Sequence, residues 1–115
     1  MRFITSLLAI VSRAEQFKKD TKKQNGKAYN GFITFDVNAE SETLTMTATD
    51  GDVTMNETIC LAEVDESFKF NMHIKRILDI LGCMSEQPIE FYVIPFGRVC
   101  FQVVAECGML IDEED

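Results

Sequence analysis

The fold is decided by residues 44–51, which read LTMTATDG. Apolar residues alternate with threonines over the first six positions, and this period of two is typical of a half-buried strand. Asp50-Gly51 then predicts a hairpin turn, and the alternation resumes over residues 53–61. Glu57 falls on the inward parity of that second strand, which indicates either an end open to solvent or a bulge. The stretch therefore predicts an antiparallel hairpin with one buried face.

Working outward from this hairpin, the same order of elements occurs twice. Strand, helix and three strands are predicted over residues 1–62, and again over residues 65–112. The first helix has Ser6 as its N-cap and ends before Asn25-Gly26. The second helix places the apolar residues from Ile74 to Met84 on one face. We expect an α+β fold of two βαβββ halves, with two helices packed on one face of antiparallel sheets.

The 115 residues allow one domain, 1–115. Its final features are a turn at residues 95–97, an edge strand at 109–112, and an acidic tail, 112–115, that is expected to fray.

Charge is unevenly distributed along the chain. The net charge is −8, from 19 acidic and 11 basic residues, which argues against non-specific nucleic-acid binding by the chain as a whole. Residues 13–27, however, contain six basic and two acidic residues. A solvated helix face with a basic C-terminal turn explains such a run equally well.

Catalytic and metal-binding patterns are missing from the sequence. His73 is the single histidine and is expected to be exposed or to cap a helix. No glycine-rich phosphate loop occurs, and Asp50 and Asp52 are typical turn formers. We therefore expect no catalytic residues, no metal site and no cofactor, and an enzyme is the least supported class.

The compartment is predicted from the cysteines and the N-terminus. The four cysteines form no CxxC pair and are expected to be buried thiols in a reducing compartment. Residues 2–14 faintly resemble a signal peptide, but their apolar stripe continues into the predicted helix. The longest apolar run, residues 7–11, is too short to span a membrane. A cytoplasmic protein without a membrane segment is expected.

The predicted strand and turn at residues 44–51 resemble those of the bacterial DNA sliding clamp, the β subunit of DNA polymerase III. Residues 68–72 followed by 74–81 resemble the strand-then-helix entry of the same domain, and residues 88–91 and 99–101 match its later strands. The resemblance implies helices that line a positive channel around double-stranded DNA. It also implies three such domains per subunit and a ring of six, whereas this chain covers one. Residues 109–115 do not match the end of the family's peptide-binding pocket.

Three functions remain open at this point. The first is a clamp-like processivity protein of DNA replication that contacts the DNA phosphate backbone, forms a homo-oligomeric ring and meets replication proteins. Its expected DNA contacts are Arg13, Lys19, Lys23, Lys75 and Arg76. The second is a protein-interaction module that uses edge strands, with Ile59, Leu61 and Ile111 at the oligomer edge. The third is a small-ligand carrier with a pocket between helices and sheet.

Overall fold

The structure is a computed structural model that describes residues 1–51, 53–94, 98–103 and 110–114, with side chains described up to residue 93. Eleven elements lie in this part of the chain: β1 (Arg2–Ser6), α1 (Leu7–Asn25), β2 (Phe32–Asn38), β3 (Thr43–Asp50), β4 (Val53–Cys60), β5 (Glu63–Val64), β6 (Phe68–His73), α2 (Ile74–Leu81), β7 (Pro88–Ile94), β8 (Arg98–Val103) and β9 (Leu110–Glu114).

The strands form two antiparallel sheets in which the halves exchange their first strands. One sheet has the order β4-β3-β2-β6 and the other the order β5-β1-β7-β8-β9. Strand β6 of the second half thus completes the first half's sheet, and β1 completes the second half's sheet. The doubled βαβββ order is confirmed. The two-residue strand β5, which pairs with β1, was not predicted because two residues carry no periodicity.

The hairpin of β3 and β4 settles the position of Glu57. The register runs without interruption from Thr43 opposite Cys60 to Asp50 opposite Val53, so there is no bulge. Glu57 lies opposite Met46 on the inward parity and remains half-exposed. The predicted open end is not found either, because Ile59 beyond Glu57 is buried; Glu57 reaches solvent because β4 is the edge strand of its sheet.

Helix α1 is fixed at both ends by local chemistry. The Ala9 amide donates to Ser6 Oγ at 3.3 Å, which confirms the predicted N-cap. At the other end Gly26 has φ 76° and its amide donates to the Lys22 carbonyl, a left-handed cap that favours glycine. The helix runs through Asn25, one residue beyond the prediction.

The core joins the two sheets through phenylalanine rings. Phe3 of β1 stacks on Phe91 of β7 at 4.7 Å between ring centroids, and Phe35 of β2 stacks on Phe70 of β6 at the same distance. The Phe3 and Phe70 rings lie 6.1 Å apart, so the stacks of the two sheets contact each other. Because each half lends one strand to the other sheet, this contact binds both halves into one core.

Two boundaries differ from the sequence predictions. Helix α2 ends at Leu81 rather than at Met84, because Gly82 follows and weakens a further turn. Strand β9 continues to Glu114, opposite Arg98, although fraying was expected from residue 112. Strand pairing uses backbone groups, so acidic side chains do not prevent it. The predicted turn at residues 95–97 and the predicted strand residue Met109 lie outside the described residues.

Candidate nucleic-acid interface

The two helices lie side by side and run in opposite directions. The Leu7 amide at the start of α1 donates to the carbonyl of Gln87, which follows α2, at 2.9 Å. The Ile74 amide at the start of α2 donates to the carbonyl of Gly31, which follows α1, also at 2.9 Å. Each helix therefore begins beside the segment that follows the other, which defines two ends of the helix pair.

Both helices turn an apolar face to the sheets. The buried residues of α1 follow the three-and-four spacing of a single stripe: Leu7, Ile10, Val11, Ala14, Phe17 and Thr21. In α2 the buried residues are Ile74, Ile77 and Leu81. The remaining faces of the helices are left for charged residues.

The five predicted DNA contacts divide into two groups. Lys19, Lys23 and Lys75 are exposed, as an interface with phosphates requires. Arg13 and Arg76 are half-buried. All five lie on the two helices, and their role in DNA contact stays a prediction.

Arg13 lies in a polar recess beside the edge strand. Its Nη1 donates to Ser12 Oγ at 3.2 Å, and with Ser12, Gln16 and Glu57 it lines a recess of about 330 Å³. The acidic Glu57 opposes a phosphate at this position. Arg13 is therefore a weaker candidate for phosphate contact than the exposed lysines.

Three further lysines lie on α1 or just after it. Lys22 and Lys27 are exposed and Lys18 is half-exposed. Together with Lys19, Lys23 and Lys75 they form what we call the lysine set. Within the described residues, no member of the lysine set makes an ion pair. The basic run over residues 13–27 contains all three, but the contacts predicted on α1 were those on the solvent side of a helical wheel.

The predicted oligomer edges lie at open sides of the sheets. Strand β4 ends one sheet and β9 ends the other. Ile59 and Leu61 are buried, so their side chains belong to the core and pairing there would use the backbone of β4. Ile111 lies in β9 opposite Phe101. Whether these edges join copies stays a prediction.

A charged cluster occupies the opposite surface, on the outward side of β1 and β7. Arg2 Nε donates to Glu90 Oε2 at 3.0 Å, and its Nη2 donates to Glu63 Oε2 at 3.2 Å. Glu90 is only 7% exposed. Burial acts to raise the pKa of Glu90, but hydrogen bonds from Tyr92 and Arg2, with the charge of Arg2, outweigh it and lower the pKa. The cluster is a structural ion pair remote from the helices.

Among the described residues, the histidine and two of the cysteines have identified environments. His73 is the N-cap of α2 and its Nδ1 accepts from the Lys75 amide at 3.1 Å, as expected for a capping residue. No group of three or more histidine, cysteine or acidic side chains among the described residues is arranged to hold a metal ion.

Cys60 and Cys83 are exposed free thiols, so the prediction of buried thiols is wrong for both. Cys60 has outward parity at the end of β4, and Cys83 follows α2.

None of the helices in the described residues combines the length and the hydropathy that crossing a membrane requires.

Comparison with solved structures identifies the architecture. A β clamp of Helicobacter pylori bound to carprofen superposes with a TM-score of 0.75 at 16% identity, over 97% of this chain and 28% of that chain. The H. pylori β clamp bound to a DNA ligase peptide gives 0.75 at 16% identity, over 100% and 31%. The fold is clamp-like. The β subunit of DNA polymerase from Streptococcus pyogenes gives 0.74 at 7% identity, over 99% and 31%.

The similarity between this chain and the clamp subunits is one of structure. The chain spans about a third of the length of these clamp subunits. No family model matches the sequence, and no curated protein matches it. The resemblance in sequence is thus supported as to fold, and DNA contact and assembly stay predictions.

Proposed function

We propose that this chain is a non-enzymatic, clamp-like protein of DNA replication that contacts the DNA backbone without reading its sequence. The lysine set carries the proposal. In a chain with 19 acidic residues, six lysines on or next to one helix layer have no ion-pair partner among the described residues. Lys19, Lys23 and Lys75 are the principal phosphate contacts, with Arg13 and Arg76 as secondary ones.

Phosphate contact fits the separation of charges. DNA phosphates attract lysine ammonium groups whatever the base sequence. A lysine that already forms an ion pair with a carboxylate of the protein binds a phosphate less well. The one lysine that forms an ion pair among the described residues, Lys69 with Asp36 at 3.6 Å, lies on β6 and points away from the helix layer. The unneutralised lysines thus lie on or next to the helices, the surface that in our proposal faces DNA.

A ring requires several copies. We propose that identical copies join head to tail, β4 of one copy against β9 of the next, because these strands end the two sheets and an open edge can extend by backbone hydrogen bonds. Six copies would supply the six domains of a clamp ring. The expected compartment is the cytoplasm, where double-stranded DNA and replication proteins are the partners.

The first experiment measures solution mass and DNA affinity on the wild-type chain. Light scattering on a size-exclusion column is expected to give six times the 13.0 kDa chain mass. Duplex affinity, measured by fluorescence anisotropy, is expected to fall as salt rises. A monomer with no salt-dependent affinity would refute the proposal and favour the interaction module, whose open edges β4 and β9 would then serve other proteins.

The small-ligand carrier has weak support. The recess nearest to that description has a volume of about 360 Å³ and lies at the end of β1, near Ile4 and Pro88. Two polar side chains at its wall, Ser6 and Glu86, are hydrogen-bonded to each other. They are therefore engaged in the structure and do not converge on a ligand.

A further inference from the structure

The two ends of the helix pair differ in charge. We call the basic end residues 18–27, which are the last two turns of α1 and the two residues after it, together with the first turn of α2. We call the Glu86 end the first turn of α1 together with residues 82–87, which follow α2. The Leu7 and Ile74 amide hydrogen bonds place the start of α1 beside Gln87, which follows α2, and the start of α2 beside Gly31, which follows α1.

The basic end collects positive charge from both halves of the chain. Residues 18–27 contain five lysines and one aspartate, and residues 74–76 add Lys75 and Arg76. The aspartate, Asp20, accepts a hydrogen bond from Gln16 Nε2 at 2.8 Å and forms no ion pair among the described residues. The lysine ammonium groups therefore remain available to an external anion.

The Glu86 end has no positive side chain. Residues 6–12 and 82–87 contain no lysine or arginine. Glu86 accepts from the Leu8 amide at 3.1 Å and from Ser6 Oγ. The hydrogen bond from Ser6, followed by that from Leu8, lowers the pKa of Glu86, so the carboxylate stays negative near neutral pH and repels phosphate.

We infer that DNA is held at the basic end of the helix pair and not along the whole helix layer. This inference rests on the proposed function and specifies which part of that surface binds phosphate. In a ring with rotational symmetry, every copy presents the same end of its helix pair in the same orientation. A closed ring of identical copies would therefore present the basic end once per copy, and the DNA contact of each copy's helix pair would be one-sided.

The test locates DNA on the wild-type chain by nuclear magnetic resonance. A short duplex is added to isotope-labelled protein at low salt, and backbone amide shifts are followed. We expect shifts at residues 22–27 and 74–76, with no change at residues 7–9 and 82–87. Shifts of equal size at both ends would overturn the inference and leave DNA binding intact, whereas no shift anywhere would overturn the proposed function as well.

A pair of charge-matched variants tests the same point by affinity. Lys19→Gln with Lys23→Gln removes two charges from the basic end. Arg13→Gln with Lys69→Gln removes the same charge from other places. The first pair is expected to reduce the salt slope of binding by about 2 and the second by less than about 1. Equal reductions would contradict a one-sided contact.

Discussion

Neutralising Lys23 provides the most direct test of phosphate contact. Lys23 is exposed in the last turn of α1, and the described residues offer it no ion-pair partner. Lys69 is the matched control, because Lys69→Gln changes the net charge equally on the opposite surface. Its own ion pair with Asp36 is exposed, and such pairs contribute about 0–1 kcal/mol to stability.

The magnitude follows from the number of exposed contacts. If Lys19, Lys23 and Lys75 each neutralise one phosphate, log K falls with log salt with a slope of about −2.7 per chain. Raising salt from about 50 to about 200 mM then weakens binding about 40-fold. Lys23→Gln leaves two of these contacts, a slope of about −1.8 and a loss of about 12-fold.

The assay is fluorescence anisotropy of a labelled duplex across that salt range, with circular dichroism to verify that both variants are folded. Lys69→Gln is expected to keep the wild-type slope. A wild-type slope in Lys23→Gln would show that this lysine touches no phosphate. Equal flattening by both variants would show that net charge alone controls affinity.

Three further predictions concern the fold. Phe3→Ala is expected to reduce the free energy of unfolding by about 3–5 kcal/mol, against less than about 0.5 kcal/mol for the exposed control Phe32→Ala, as measured by urea denaturation; similar losses would contradict the stacked core. Gly26→Ala is expected to cost about 1–2 kcal/mol because Gly26 has φ 76°, and Gly26→Asn less, by thermal melting; equal melting temperatures for the three proteins would argue against a strained cap. The lowered pKa of Glu90 stabilises the fold above the unfolded carboxyl pKa of about 4.3, and this contribution is lost as pH falls through the folded pKa. In Glu90→Gln the free energy of unfolding should therefore fall less steeply at acidic pH than in the wild type. If urea denaturation gives the same pH dependence for both proteins, this role of Glu90 is refuted.

The sequence predicted most elements because their local signals agree with their tertiary roles. The alternation of apolar residues and threonines, with the turn at residues 50–51, predicted the hairpin, because one face of that sheet is buried and the other is exposed to solvent. Ser6 gave the start of α1, because its side chain caps the helix in the structure. The order of the secondary-structure elements repeats although the amino-acid sequence contains no obvious repeat, and that repeated order predicted the doubled fold.

The remaining features depend on contacts between distant residues. The exchange of β1 and β6 between the halves follows from pairing across about 80 to 90 positions for β1 with β7 and about 30 to 40 positions for β2 with β6. Local periodicity carries no information about such pairing. Glu86 reaches the start of α1 from the segment before β7, and no local pattern marks that contact. The DNA candidates were selected from the basic run and the solvent face of the helices, and neither pattern revealed the half-buried recess of Arg13.

Added salt should change ring assembly and DNA affinity, the two parts of the proposed function, in opposite directions. Each copy carries a net charge of −8, so copies repel one another, and added salt screens that repulsion because the Debye length falls from about 10 Å at 0.1 M to about 3 Å at 1 M. The attraction between the lysine set and phosphate weakens over the same range. A ring held by backbone pairing of β4 and β9 should therefore assemble better in high salt while it binds DNA less tightly. If mass and DNA affinity instead fell together, lysines would be holding the copies to one another, and the lysine set would belong to the subunit interface rather than to DNA.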